Sequence, residues 1–197
     1  MRTLPLAVGW LFAASGTGFI WASPMTGLER QHLVAHFEMT ESWLVEEVTG
    51  LSPAQVQFHP APGAWSILEV LDHLTVAEPI YWQDLQNAMK AAASRKPSAT
   101  DADILWYGID RTQRQRAIPS ENPSSQLRDA GAGLETLRKL HAEMLRYAKS
   151  TDDDLRSHVV EREGCDAYQW LLLISTHEQR HVLQIREIKA NAKFPKK

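Results

Sequence analysis

From residue 26 to residue 189, apolar side chains recur at three- and four-residue intervals, the spacing of helices with one buried face. Thr26-Gly27-Leu28-Glu29 opens the first stretch as a capping box: the Thr oxygen takes the third helical amide and the Glu reaches back. Leu33, Phe37, Leu44 and Val48 form its stripe, and Gly50 is a natural stop. Ser52-Pro53 then starts a short turn, with Ser as cap and Pro at the first helical position. Ser66-Ile67-Leu68-Glu69 is a second capping box, with Trp65 and Val70 placed for a hydrophobic staple. Ile67, Val70, Leu71 and Leu74 are the apolar face of a helix running toward Met89, with a kink expected at Pro79.

Residues 94–121 are rich in Ser, Pro, Asp and Arg and read as one long connection. In a four-helix bundle such a crossover lets sequential helices run parallel. Asn122-Pro123 predicts the start of a third helix, with Leu127, Ala130, Leu134, Leu137, Met144 and Ala148 as its stripe. Gly131 and Gly133 weaken its first turns by up to ~1 kcal/mol each. Residues 150–165 read as a polar linker, in which Val159-Val160 carries only a weak signal for extended structure. Asp166, with Gln169 at the third position, caps a fourth helix carrying Trp170, Leu173, Ile174, His177, His181, Ile185 and Ile188. The expected fold is all-α, a four-helix bundle over residues 25–197 with a long crossover between the second and third helices.

Composition narrows the function. One Cys in 197 residues allows neither an internal disulfide nor a Cys-rich zinc framework. A net charge of -3 leaves no electrostatic footprint for nucleic acid. Residues 1–24 carry one early Arg, a short apolar run and small residues near Ala22, the pattern of a signal peptide or leader. Their glycines argue against a stable membrane span. This expectation places the protein in the periplasm or outside the cell if the leader is removed, and in the cytoplasm if Met25 is the true start.

The chemistry concentrates in histidines. His177 and His181 are four apart, hence on one side of a helix and about 6 Å apart along its axis. That side is the apolar stripe. Buried imidazoles need hydrogen-bond partners or a metal, since an unpaired buried polar group costs roughly 1–3 kcal/mol. His73, beside the stripe of the second helix, is the best third ligand. Three neutral imidazoles would leave coordination positions open for water or substrate. The bland alternative for each is a satisfied core histidine. His141 is a further partner or a boundary residue, His32 and His36 suit a solvated boundary, and His59 and His158 fall in loops. Residues 177–181 also spell H-E-x-x-H, the zinc-peptidase pattern in which Glu178 would be the general base. Arg180 between the ligands argues against it, as does the stretch after His181, which has no His or Cys and no acid but Glu187. Glu178 is retained as a candidate catalytic residue near the mouth of a site, and Asp72 as a weaker base. Glu69 could orient His73, although its capping role competes. Trp65 and Trp82 could line a pocket, with core packing the default for Trp65.

The segment from Pro60 to Leu74, containing Trp65, Ser66, Ile67 and His73, resembles a hallmark of the DinB superfamily (DinB/YfiT-like). His177-Glu-Gln-Arg-His181-Val-Leu-Gln184 is similar to that family's H-x-x-x-H-x-x-Q signature. The resemblance implies a bundle with a long second crossover and a divalent metal held by His73, His177 and His181, with Zn or Ni the expected ion. It implies a metal-dependent hydrolase or a thiol S-transferase acting on an unidentified small molecule. Gln184 matches a motif position whose role is open between packing and ligand contact. A metal- or ligand-binding bundle without turnover is the alternative, as is a silent bundle acting through homodimer contacts.

Overall fold

The computed structural model describes residues 24–93 and 97–196. The leader expected over residues 1–24 therefore lies outside the described residues, apart from Pro24. Six helices follow in order: α1 (Gly27–Val48), α2 (Pro53–Val56), α3 (Ile67–Lys90), α4 (Asp101–Ile109), α5 (Ala130–Ser150) and α6 (Ala167–Lys189). A two-stranded antiparallel hairpin, β1 (Val159–Val160) with β2 (Cys165–Asp166), precedes α6. Among the described residues, no helix is long and apolar enough to cross a membrane.

The expected caps form, that of Ser52 as a full capping box. Thr26, Ser52, Ser66 and Asp166 each accept from the third helical amide while the Glu or Gln there returns a bond to the cap. Gly50 sits at φ +75°, the left-handed conformation that ends α1. Helix α3 runs unbroken through Pro79, whose exposed ring lies away from the core.

Helices α1, α3, α5 and α6 form the bundle: α6 and α5 each pack against both α1 and α3. Helix α6 is the central element, with buried residues on nearly every side of its middle turns. The core has two apolar parts. One gathers Leu33, Phe37, Leu85, Met144, Trp170 and Ile174, the other Leu44, Val70, Leu74, Leu137, Val182 and Ile185. Between them every bundle helix contributes buried polar groups: Thr40, His73, Glu78, His141, His177, Glu178 and His181.

Two sequence expectations are corrected, and a weak one is borne out. The 94–121 connection contains helix α4, which opens with a capping box between Thr100 and Asp103 and packs on α6. It approaches at Gly108, where a Cβ would lie 2.7 Å from Gln179 Oε1 and 2.9 Å from Thr176 Cβ. Helix α5 begins at Ala130 behind an Asp129 cap, not at Asn122-Pro123. The intervening loop is held instead by Asp72, whose carboxylate accepts from Ser124 Oγ at 2.7 Å and Ser125 N at 2.6 Å. Leu127 reaches the core from this loop by nesting against Gly133, where a Cβ would be 2.9 Å away. The weak Val159-Val160 signal is a true strand, paired with Cys165 and Asp166.

Candidate metal centre

The Ser66 cap sets the start of α3 and so places His73 two turns in, facing α6. Helix α6 presents His177 and His181 from adjacent turns. The three ligand atoms lie within 4.8 Å of one another. His177 Nε2 is 3.2 Å from His73 Nε2 and 3.1 Å from His181 Nε2. The side chains come from well-buried residues, 2%, 4% and 8% exposed for His73, His177 and His181.

Proton placement follows from the outer nitrogens. His73 Nδ1 sits 2.5 Å from the Glu121 backbone oxygen, which can only accept, so Nδ1 carries the proton and Nε2 a lone pair. His181 Nδ1 lies 2.9 Å from Gln184 Oε1, and the same argument applies. Two lone pairs therefore point at His177 Nε2, and one proton there cannot bond fully to both. A cation at the common point satisfies all three nitrogens, and a hydrogen-bonded outer nitrogen is the usual support for a ligating imidazole. Burial, against the pull of Glu121, holds His73 below its ordinary pKa. Burial, then the neighbouring imidazoles, hold His177 and His181 well below theirs, and the nearby arginines add to this. All three stay neutral, which is the ligating form. The donor set therefore fits a divalent ion.

The histidines line a cleft of about 990 Å³. Trp65 packs its ring 5.0 Å from His73 and stacks 6.5 Å from His181, so it both closes the site and meets the core. Tyr81 presents its ring 5.3 Å from His177 and donates to Glu121 Oε2 at 3.2 Å. Glu121 thus ties together His73, Tyr81 and, through its other oxygen, Arg162. Glu121, Tyr81, Arg162 and the arginines of the crossover were not singled out from the sequence. They stand in loops or in the middle of helices without motif spacing, and only the folded crossover brings them to the histidines.

Glu178 is elsewhere. The expectation of a solvent-exposed base near the mouth is corrected: the residue is 0% exposed and does not line the cleft. Thr40 Oγ1 donates to it at 2.8 Å, and His141 Nδ1 is 3.9 Å away. His141 is likewise not a fourth partner of the histidine cluster. Its Nε2 meets Glu78 Oε2 at 2.6 Å, deep in the bundle. Burial alone would lower the His141 pKa, but Glu78, Glu178 and Glu41 together raise it well above the ordinary range, leaving an imidazolium among carboxylates. Burial pushes Glu178 upward. Without its glutamate at the ligands, the H-E-x-x-H pattern lacks the peptidase base. Asp72 holds the 122–126 loop, and Glu69 caps α3 rather than touching His73. Trp82 is buried against Glu143 and Tyr147 and does not line the cleft. His36 bonds Ser175 at the α1–α6 boundary, His59 and His158 bond backbone carbonyls, and His32 is exposed, as expected of residues outside the site.

Four helices closing around inward-facing imidazoles define a bundle protein with a metal-type site in its core. The chain belongs to the DinB superfamily, whose family model matches residues 36–185. It is 28% identical over 156 residues to the uncharacterized protein YuaE of Bacillus subtilis (strain 168), a match covering 76% of this chain and 91% of that one. Its fold is similar to that of YfiT from Bacillus subtilis, described as "a probable metal-dependent hydrolase with an unusual four-helix bundle topology". That likeness has a TM-score of 0.56 at 15% identity, over 87% of this chain and 91% of YfiT.

Proposed function

We propose that the chain is a metal-dependent hydrolase of a small molecule, with His73, His177 and His181 as the ligands of a divalent ion, Zn or Ni being the ions the family resemblance implies. The observation that carries this reading is the convergence of three Nε2 atoms, two with their lone pairs fixed from behind, on the wall of a cleft. His73, His177 and His181 would hold the ion, which would supply Lewis acidity for activating water. The chain supplies the rest. Glu121 and Gln184 orient two ligands, while Trp65, Tyr81 and Trp170 exclude bulk water from the inner end of the cleft. Burial raises the Tyr81 phenol, so it remains a proton donor at neutral pH, facing the cleft from beside His177. Cys165 also lines the cleft, but burial pushes its thiol up to about 11, which removes it as a nucleophile of the chain's own.

The YfiT description supports hydrolysis over other uses of the same ligands. A low-molecular-weight thiol bound there would be acidified in the same manner, so an S-transferase would share these residues and differ in substrate. The test is elemental analysis of purified wild type, His73→Ala and His177→Ala, followed by a panel of esters, amides and thiol acceptors. Near-stoichiometric divalent metal in wild type, lost in both variants along with ester or amide hydrolysis, is the expected result. Full metal content in His73→Ala would remove that residue from the site, and turnover confined to thiol acceptors would replace hydrolysis by transfer.

A further inference from the structure

The chain as a whole carries a net charge of -3, yet five arginines and only two glutamates line the cleft. Two of the arginines are neutralised within the fold. Arg111 holds Glu187 through two bonds of 3.0 and 2.9 Å, and Arg162 pairs with Glu121 and with Asp84 at 3.5 Å. Arg180 is different. It is only 5% exposed, and its guanidinium donates to backbone carbonyls alone: Tyr107 O at 2.9 Å, Asp110 O and Gln113 O. The Tyr107 ring lies 4.9 Å from it. Carbonyl dipoles orient a guanidinium but leave its unit charge in place, and the Asp110 and Glu187 carboxylates act on it only through space, without a bonded ion pair. Arg114 and Arg116 follow in the same crossover segment, exposed at the cleft rim, and among the described residues neither forms a salt bridge with a carboxylate.

The inner end of the cleft therefore holds three imidazoles, and its outer side holds three guanidinium groups that, among the described residues, form no direct ion pair with a protein carboxylate. Planar guanidinium groups bind carboxylate and phosphate oxygens through paired hydrogen bonds. We infer that the cleft takes a small molecule bearing an oxyanion, a phosphate or a carboxylate, which docks on Arg114 and Arg116 under the field of Arg180 while its reacting end faces the histidines. The reacting end rests on the metal-site reading; the anion subsite stands on the arginines.

The test separates the two. Phenyl phosphate, benzoate and uncharged benzamide are titrated calorimetrically into chelator-treated protein, where no metal can recruit the anion. The same titrations are run on an Arg114→Gln/Arg116→Gln variant, whose exposed positions leave the core intact, and zinc uptake is measured for both proteins. Wild type should bind at least one anion about tenfold or more tighter than benzamide, and the double variant should lose about tenfold of that affinity while still taking up zinc. Tighter phenyl phosphate binding identifies a phosphate ligand, and tighter benzoate binding a carboxylate. No anion binding in wild type, equal binding of benzamide, or unchanged anion affinity in the double variant overturns the inference. Anion binding that survives in a protein unable to take up zinc overturns the metal reading alone.

Discussion

Neighbouring residues on α6 lead separate lives. Successive helical residues are rotated by roughly 100°, so His177 faces the cleft while Glu178 faces α1 and α5. Its partners are Thr40 and the Glu78–His141 pair, and Glu78, His141 and Glu178 each keep one buried atom without a hydrogen-bond partner. Such a layer is sensitive to truncation, because removing one member leaves a cavity and a buried partner without its hydrogen bond. Glu178→Ala is therefore expected to cost about 1–3 kcal/mol in urea denaturation, the cost of an unsatisfied buried group, while leaving metal content unchanged. A variant of wild-type stability that nevertheless failed to hydrolyse substrate would return Glu178 to the chemistry. The sequence could show that two histidines share a face; it could not show that the intervening acid serves a different cluster, since that depends on what α1 and α5 place opposite.

At the scale of elements, the helices with Ser, Thr or Asp caps and Glu or Gln three residues on were legible in the residues, because a capping box is complete within one turn. Helix α4 was missed although it is capped in the same manner. Its reciprocal residue is Asp103 rather than Glu or Gln, and its short amphipathic run sits within a polar segment. Its docking depends on Gly108, which lets its backbone meet Thr176 and Gln179 of α6. Replacing Gly108 with Ala would gain up to about 1 kcal/mol of helix propensity, but the contacts under 3.0 Å include the branched Thr176 Cβ, which cannot swing away. Gly108→Val is thus expected to destabilise by about 1–3 kcal/mol, the range for overpacking, and to raise hydrogen exchange in α4 before the rest of the bundle. Uniform exchange with unchanged stability would show that α4 tolerates a wider seat. The start of α5 was misplaced for the opposite reason: Asn122-Pro123 is a sound local start signal, overridden by Asp72 holding the following serines in a loop.

Across the whole molecule, Arg156 joins the N-terminal ends of three helices. It binds Glu29 on α1, Asp101 on α4 and the Asp166 cap of α6, and stacks 3.9 Å over Tyr168. The guanidinium holds Asp101 below the usual carboxylate range. Burial would raise Glu29, but bonds from Thr26 and Arg156 bring it below as well. Burial keeps Asp166 raised, an opposing contribution from a single group. A carboxylate with a depressed folded pKa contributes stability that is present above its unfolded value, near 4, and lost as pH falls through the folded value. Melting temperature is accordingly expected to fall from about pH 5 downward, and to fall less steeply in Arg156→Gln. An equally steep decline in the variant would uncouple these carboxylates from Arg156.

The order of helices, most of their caps and the three candidate ligands could be read from the residues, because caps, periodicity and the i, i+4 pairing of His177 with His181 are interactions of near neighbours. What closes the site was settled by packing: the Glu121 carbonyl behind His73, the turning away of Glu178, the enclosure of Arg180 by carbonyls and the arginine rim. The turning away of Glu178 depends on what α1 and α5 place opposite it; the others depend on the path of residues 97–129 over α6, and no rule confined to a turn or two of chain specifies where a long connection comes to rest.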